Sequence, residues 1–130
     1  MTELIRRTHG TGFKVFTALD DLQFPTYMMG AVGSILPELS VGLWRAFQSS
    51  DYETARALHY RILPVARAVF GLESGAPRTP SGTKEALRLL GRHVGPPRLP
   101  LLPCNEAQSA IVRRGLELGG VLPANSQMSG

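Results

Sequence analysis

The sequence predicts an α/β chain that is mostly helical, with two short parallel strands first and at least four helices after them. Three observations carry this. Apolar runs at 13–18 and 31–36 flank a short helical stretch, the strand–helix–strand rhythm of a parallel sheet. Two capping-box patterns, Ser50-Asp51-Tyr52-Glu53 and Asn105-Glu106-Ala107-Gln108, each announce a helix start. Thr79-Pro80 announces another, with threonine as N-cap and proline at the first helical position.

Residues 2–8 read as the tail of a helix, broken by Gly10 and Gly12. Phe13-Lys14-Val15-Phe16-Thr17-Ala18 is rich in aromatic and β-branched residues on both faces, which suits a parallel strand buried on both sides. Asp20 and Asp21 open a short helix over 22–29, with Pro25 in its first turn, and Gly30 closes it. The second strand is Ala31-Val32-Gly33-Ser34-Ile35-Leu36. Two strands cannot cover both faces of a parallel sheet, so this unit calls for strands that the chain does not supply.

The remainder is helical. Pro37 to Phe47 carries an apolar stripe of Leu39, Leu43, Trp44 and Phe47. The box at Ser50 begins a long helix to Phe70, with Ala55, His59, Ile62, Ala66, Val69 and Phe70 on one face. Pro64 sits inside it, removes one hydrogen bond and predicts a kink. A Gly/Pro/Ser loop leads to the helix that starts at Thr79-Pro80 and stops at Gly91. Gly95-Pro96-Pro97-Arg98-Leu99-Pro100-Leu101-Leu102-Pro103 suits neither helix nor central strand and predicts an extended segment laid over a surface. The last helix begins at the Asn105 box and stops at Gly119-Gly120, and 123–130 reads as a disordered tail.

Composition narrows the function. The chain has 130 residues, 43% hydrophobic and 18% charged, enough for one domain with a real core. No stretch reaches the roughly 18 apolar residues of a membrane span, and the first seven residues lack the apolar core of a signal peptide. The single cysteine, Cys104, excludes an internal disulfide and a multi-cysteine zinc site, and fits a cytoplasmic location. Net charge is +4, with twelve arginines against two lysines, but the arginines are scattered singly or in pairs. Without a basic run or aromatic interleaving they read as solvated helix faces, not a nucleic-acid surface.

Few residues could carry chemistry. A Schiff-base enzyme needs a lysine in a desolvated pocket. Lys14 stands near the start of its strand and Lys84 on a late helix, and both read as ordinary lysines. Asp20 and Asp21 read as helix caps. His9, His59 and His93 have no metal-ligand spacing, and His59 reads as a helix residue at a packing edge. Cys104, beside a helix start but without an evident histidine partner, reads as a structural thiol. Trp44, Tyr52 and Phe70 read as core. No metal or cofactor is called for.

Five segments in order resemble dihydrodipicolinate synthase/N-acetylneuraminate lyase-type proteins, the class I aldolase family. Phe13 to Asp21 is similar to the family's seventh barrel strand, which usually ends in Gly-Asp-Asp. Gly30-Ala31-Val32-Gly33-Ser34-Ile35 is similar to its eighth, G-A-x-G-x-I. Asp51 to Pro64 resembles its D-x-x-x-A-x-x-L helix ending in Leu-Pro, Pro80 to Leu87 its P-x-x-x-K-x-A-L helix, and Gly95 to Pro103 its G-P-x-R-x-P-L-x-P segment.

The resemblance implies the last strands of a (β/α)8 TIM barrel over 1–49 and a C-terminal helical extension over 50–122. It implies Schiff-base chemistry on pyruvate or another 2-oxo acid, in a homo-oligomer, with Ile35 as a wall of the substrate pocket. It also places the catalytic lysine and tyrosine on the sixth and fifth strands, before Met1, so the chain alone is expected to be an inactive fragment. Leu19 stands where the family has glycine, and the loop after Ile35 is shorter than usual. The alternative is a small helical protein–protein interaction module without catalysis.

Overall fold

The computed structural model describes residues 36–70, 74–77, 79–92 and 94–123. Both expected strands, the short helix between them and the tail lie outside the described residues, except that Leu36 caps the next helix. Among the described residues there are four helices and no strand. They are α1 Pro37–Gln48, α2 Tyr52–Val69, α3 Thr79–Leu89 and α4 Glu106–Leu118. The chain divides into two compact units, Met1–Ile62 and Leu63–Gly130, and the boundary falls inside α2.

In the first unit α1 starts on Pro37, whose missing N–H costs nothing in a first turn. It buries Leu39, Ser40, Leu43 and Ala46. The buried face is therefore rotated from the expected stripe: Trp44 and Phe47 are half-buried at its edge. Tyr52, expected in the core, is instead 47% exposed. It sits in the first turn of α2 and meets Phe47 edge-on, with ring centroids 5.8 Å apart. Gly42 lets α2 come close, since a Cβ there would stand 3.3 Å from Leu58 Cδ1.

The turn between α1 and α2 corrects the expected capping box. Ser50 donates its N–H to Phe47 O at 3.0 Å, and Asp51 donates its own to Ala46 O at 2.9 Å. This is the Schellman pattern, which satisfies the last carbonyls of α1 and needs a left-handed residue at Ser50, where φ is 60°. Ser50 thus belongs to the end of α1 and cannot also cap α2. That role falls to Asp51, whose Oδ1 accepts from Thr54 N at 3.0 Å. The hydrogen bonds from Thr54 hold the Asp51 carboxyl below its usual range.

The second unit is built from the end of α2, α3, α4 and the proline-rich segment between the last two. Val65, Ala66, Ala68 and Val69 of α2, Ala86 of α3, and Val112 and Leu116 of α4 are buried. The expected face of α2 was thus legible, although His59 and Phe70 are only half-buried and Val65 and Ala68 were missed. Phe70 is therefore an edge residue, not full core. The helix runs on through Pro64. Two glycines set the packing distances. A Cβ on Gly82 of α3 would lie 2.5 Å from Val69 O, and one on Gly115 of α4 would lie 2.6 Å from Ala68 Cβ.

Helix α3 includes Thr79 as a helical residue, one position earlier than expected. It ends in a second Schellman turn, with Gly91 at φ 75° and Arg92 N–H donating to Leu87 O at 2.8 Å. The Asn105 box forms as the sequence predicts: Gln108 N–H donates to Asn105 Oδ1 at 2.9 Å, and Asn105 N–H donates to Gln108 Oε1 at 3.1 Å. Residues 94–103 are neither helix nor strand. They are tied to α3 at two points. Ser81 Oγ donates to Leu102 O at 2.6 Å, and Lys84 Nζ donates to Val94 O at 3.0 Å and Gly95 O at 3.3 Å.

Candidate functional site

Within the second unit, α3, the first turns of α4 and the proline-rich segment enclose an open groove of about 880 Å³. The two tethers bind the segment alongside α3, and α4 packs against α3 as well. Helical spacing brings Lys84 and Arg88 to the groove at a step of four, and Arg92 lines it from beyond the turn at Gly91. Helix α4 contributes Glu106, Ser109, Ala110 and Arg113 by the same spacing. Val94, Pro96, Pro97 and Pro103 supply apolar wall.

Glu85 is the most constrained charge in the groove. Arg88 grips it with two hydrogen bonds, Nε to Oε2 at 2.9 Å and a terminal nitrogen to Oε1 at 2.6 Å. Ser109 Oγ donates to the same Oε1 and so joins α4 to α3. The Arg88 hydrogen bonds hold the Glu85 carboxyl below the usual carboxylate range, against the opposing effect of burial. Its side chain is 11% exposed, while that of Arg88 is 63% exposed. Burial first, and then the Glu85 charge, push the Cys104 thiol up, which suits the structural role read from the sequence and not that of a nucleophile.

A pH dependence follows. The unfolded chain binds the Glu85 proton more tightly than the folded chain, because the folded carboxyl is depressed from 4.5. The stability from this group is present at neutral pH and is lost as pH falls below 4.5 through the folded value. Glu85→Gln is expected to remove that part of the acid limb in thermal melts between about pH 5 and 3, and to lower stability at pH 7 by about 1 kcal/mol or more. An unchanged acid limb would refute it.

Of the residues singled out from the sequence, Lys84 and Cys104 come to the groove. Lys84, read from the sequence as an ordinary lysine, makes solvent-exposed hydrogen bonds to two backbone carbonyls. His59 lies half-buried in α2, beside Tyr60, in keeping with a packing edge. Ile35, Lys14, Leu19, Asp20, Asp21, His9 and His93 lie outside the described residues. Among the described residues no group of three or more His, Cys, Asp or Glu could hold a metal ion, and no helix is long and apolar enough to cross a membrane. The Glu85–Arg88–Ser109 cluster was missed. Its signal was present in the i,i+3 spacing of Glu85 and Arg88, but their link to Ser109 is tertiary.

A model of the dihydrodipicolinate synthetase family matches residues 1–118. The chain belongs to that family. Among curated members it is similar to 4-hydroxy-tetrahydrodipicolinate synthase of Methanopyrus kandleri, 36% identical over 117 residues, covering 85% of this chain and 37% of that protein. The synthase of the same name from Methanosarcina mazei is 34% identical over 128 residues, covering 94% of this chain and 42% of that protein. Among solved structures, a dihydrodipicolinate synthase of Bacillus anthracis superposes with a TM-score of 0.74 at 29% identity, over 95% of this chain and 41% of that one. The dihydrodipicolinate synthase of Thermotoga maritima gives 0.73 at 28% identity, over 94% and 44%. The chain thus spans less than half the length of the family members it matches, and corresponds to their C-terminal part.

Proposed function

We propose that this chain is the C-terminal part of a Schiff-base-forming lyase or synthase that acts on pyruvate or another 2-oxo acid, and that by itself it forms no imine. The family match over residues 1–118 carries the reading. In the resemblance drawn from the sequence, the imine-forming lysine and the supporting tyrosine belong to the sixth and fifth barrel strands, and the first resembling segment, Phe13 to Asp21, is similar to the seventh. Ile35 would wall the substrate pocket from the eighth strand, and the complete protein would work as a cytoplasmic homo-oligomer.

The geometry at Lys84 supports the second half of the proposal. An amine that attacks a ketone must present its lone pair to the carbonyl carbon. The Lys84 nitrogen instead donates to two backbone carbonyls and serves as a tether. Incubation with pyruvate and borohydride, followed by intact-mass and peptide mass spectrometry, is expected to leave the chain unmodified. A specific pyruvyl adduct on Lys14 or Lys84 would overturn the proposal.

A further inference from the structure

We infer that the groove between α3, α4 and the proline-rich segment binds a small organic anion, an apolar body that bears a carboxylate or phosphate. This goes beyond the proposed 2-oxo acid chemistry and uses none of its residues. The volume of about 880 Å³ lies within the range of small-molecule sites, roughly 300–1,000 Å³. The apolar wall of Val94, Pro96, Pro97 and Pro103 is uncovered, with Val94 itself 43% exposed.

Charge decides the sign of the ligand. Lys84, Arg88, Arg92 and Arg113 line the groove against only Glu85 and Glu106. Glu85 and Arg88 largely cancel one another, so the net positive charge of the lining comes from Lys84, Arg92 and Arg113 against Glu106. One of these cations is held in place before any ligand arrives. Lys84 is fixed by the carbonyls of Val94 and Gly95, which leave its charge uncancelled. Cations held in this way lose little side-chain freedom on binding, which favours affinity. An apolar wall with a positive rim selects against free inorganic anions, which leave the wall wet, and against neutral aromatics, which gain nothing from the rim's charge.

The test is a titration of the full chain at low ionic strength with phenyl phosphate and phenylacetate, and with inorganic phosphate and phenol as controls. Backbone amide NMR shifts and calorimetry are the readouts. One saturable site is expected, with shifts in residues 84–97 and 104–113. At least one of the two organic anions should bind about tenfold or more tighter than inorganic phosphate and phenol, and the better one names the headgroup. The Arg92→Gln/Arg113→Gln double variant should weaken binding about tenfold or more, since two charge contacts are lost. Ala110→Glu, a change at an exposed position on the groove wall, should do the same and guards against misfolding of the double variant. The inference is overturned by the lack of saturable binding for both organic anions, by phenol binding as tightly as either, or by unchanged affinity in both variants.

Discussion

Leu116→Ala is expected to lower the unfolding free energy by about 2–5 kcal/mol, whereas Leu118→Ala, two residues on, should change it by less than about 0.5 kcal/mol. Leu116 is fully buried and Leu118 is 64% exposed, on the same helix. Truncating Leu116 removes buried methyl groups and leaves a cavity that a close-packed interior refills only in part. Small domains hold a margin of only about 5–15 kcal/mol, so this loss is a large fraction of the whole. The Leu116 carbonyl, which accepts from Val121 N–H at 2.9 Å, is unaffected, so the helix end should survive. Urea midpoints for the two variants check this. Equal midpoints would mean that α4 does not pack as described.

Gly82→Ala and Gly115→Ala should each destabilise the chain by about 1–3 kcal/mol, although alanine is the better helix former by about 1 kcal/mol. In a solvated helix the sign would be the opposite. At Gly82 the new methyl would meet the Val69 carbonyl oxygen at 2.5 Å and Pro77 Cγ at 3.0 Å. At Gly115 it would meet Ala68 Cβ at 2.6 Å and Pro64 O at 2.9 Å. Backbone atoms and a neighbouring Cβ cannot swing aside like the end of a long side chain. Each helix must therefore back away from α2 and loosen its contacts along its length. Thermal melts give the sign directly. A rise in Tm for either variant would show that its helix stands further from α2 than the structure has it.

The helices were legible because their signals are local. A proline at a first turn, an asparagine cap and a following Gly-Gly act within four residues, and the helix boundaries fell within two residues of expectation. The misassigned cap at Ser50 is instructive. Ser50 and Asp51 are both good N-caps, and only the hydrogen bonds of the preceding helix end decide between them. No glycine marked that end, so it could not be read from sequence. The buried faces were legible in part. Periodicity finds a stripe, but its edges depend on what lies opposite, and Tyr52 and Trp44 fell on the wrong side of that line.

The sequence by itself determined the family, the order of the helices and the non-helical, proline-rich character of 95–103, because each rests on contiguous residues. Only the tertiary structure decided what Gly82 and Gly115 are for, why Lys84 is held and how Glu85, Arg88 and Ser109 come together. Those roles join residues far apart in the chain, such as Ser109 and Glu85 or Gly115 and Ala68. A mid-helix glycine costs the helix about 1 kcal/mol and so hints at a close neighbour. Which neighbour, and at what distance, is fixed by packing two surfaces into the same space, and no local pattern encodes that.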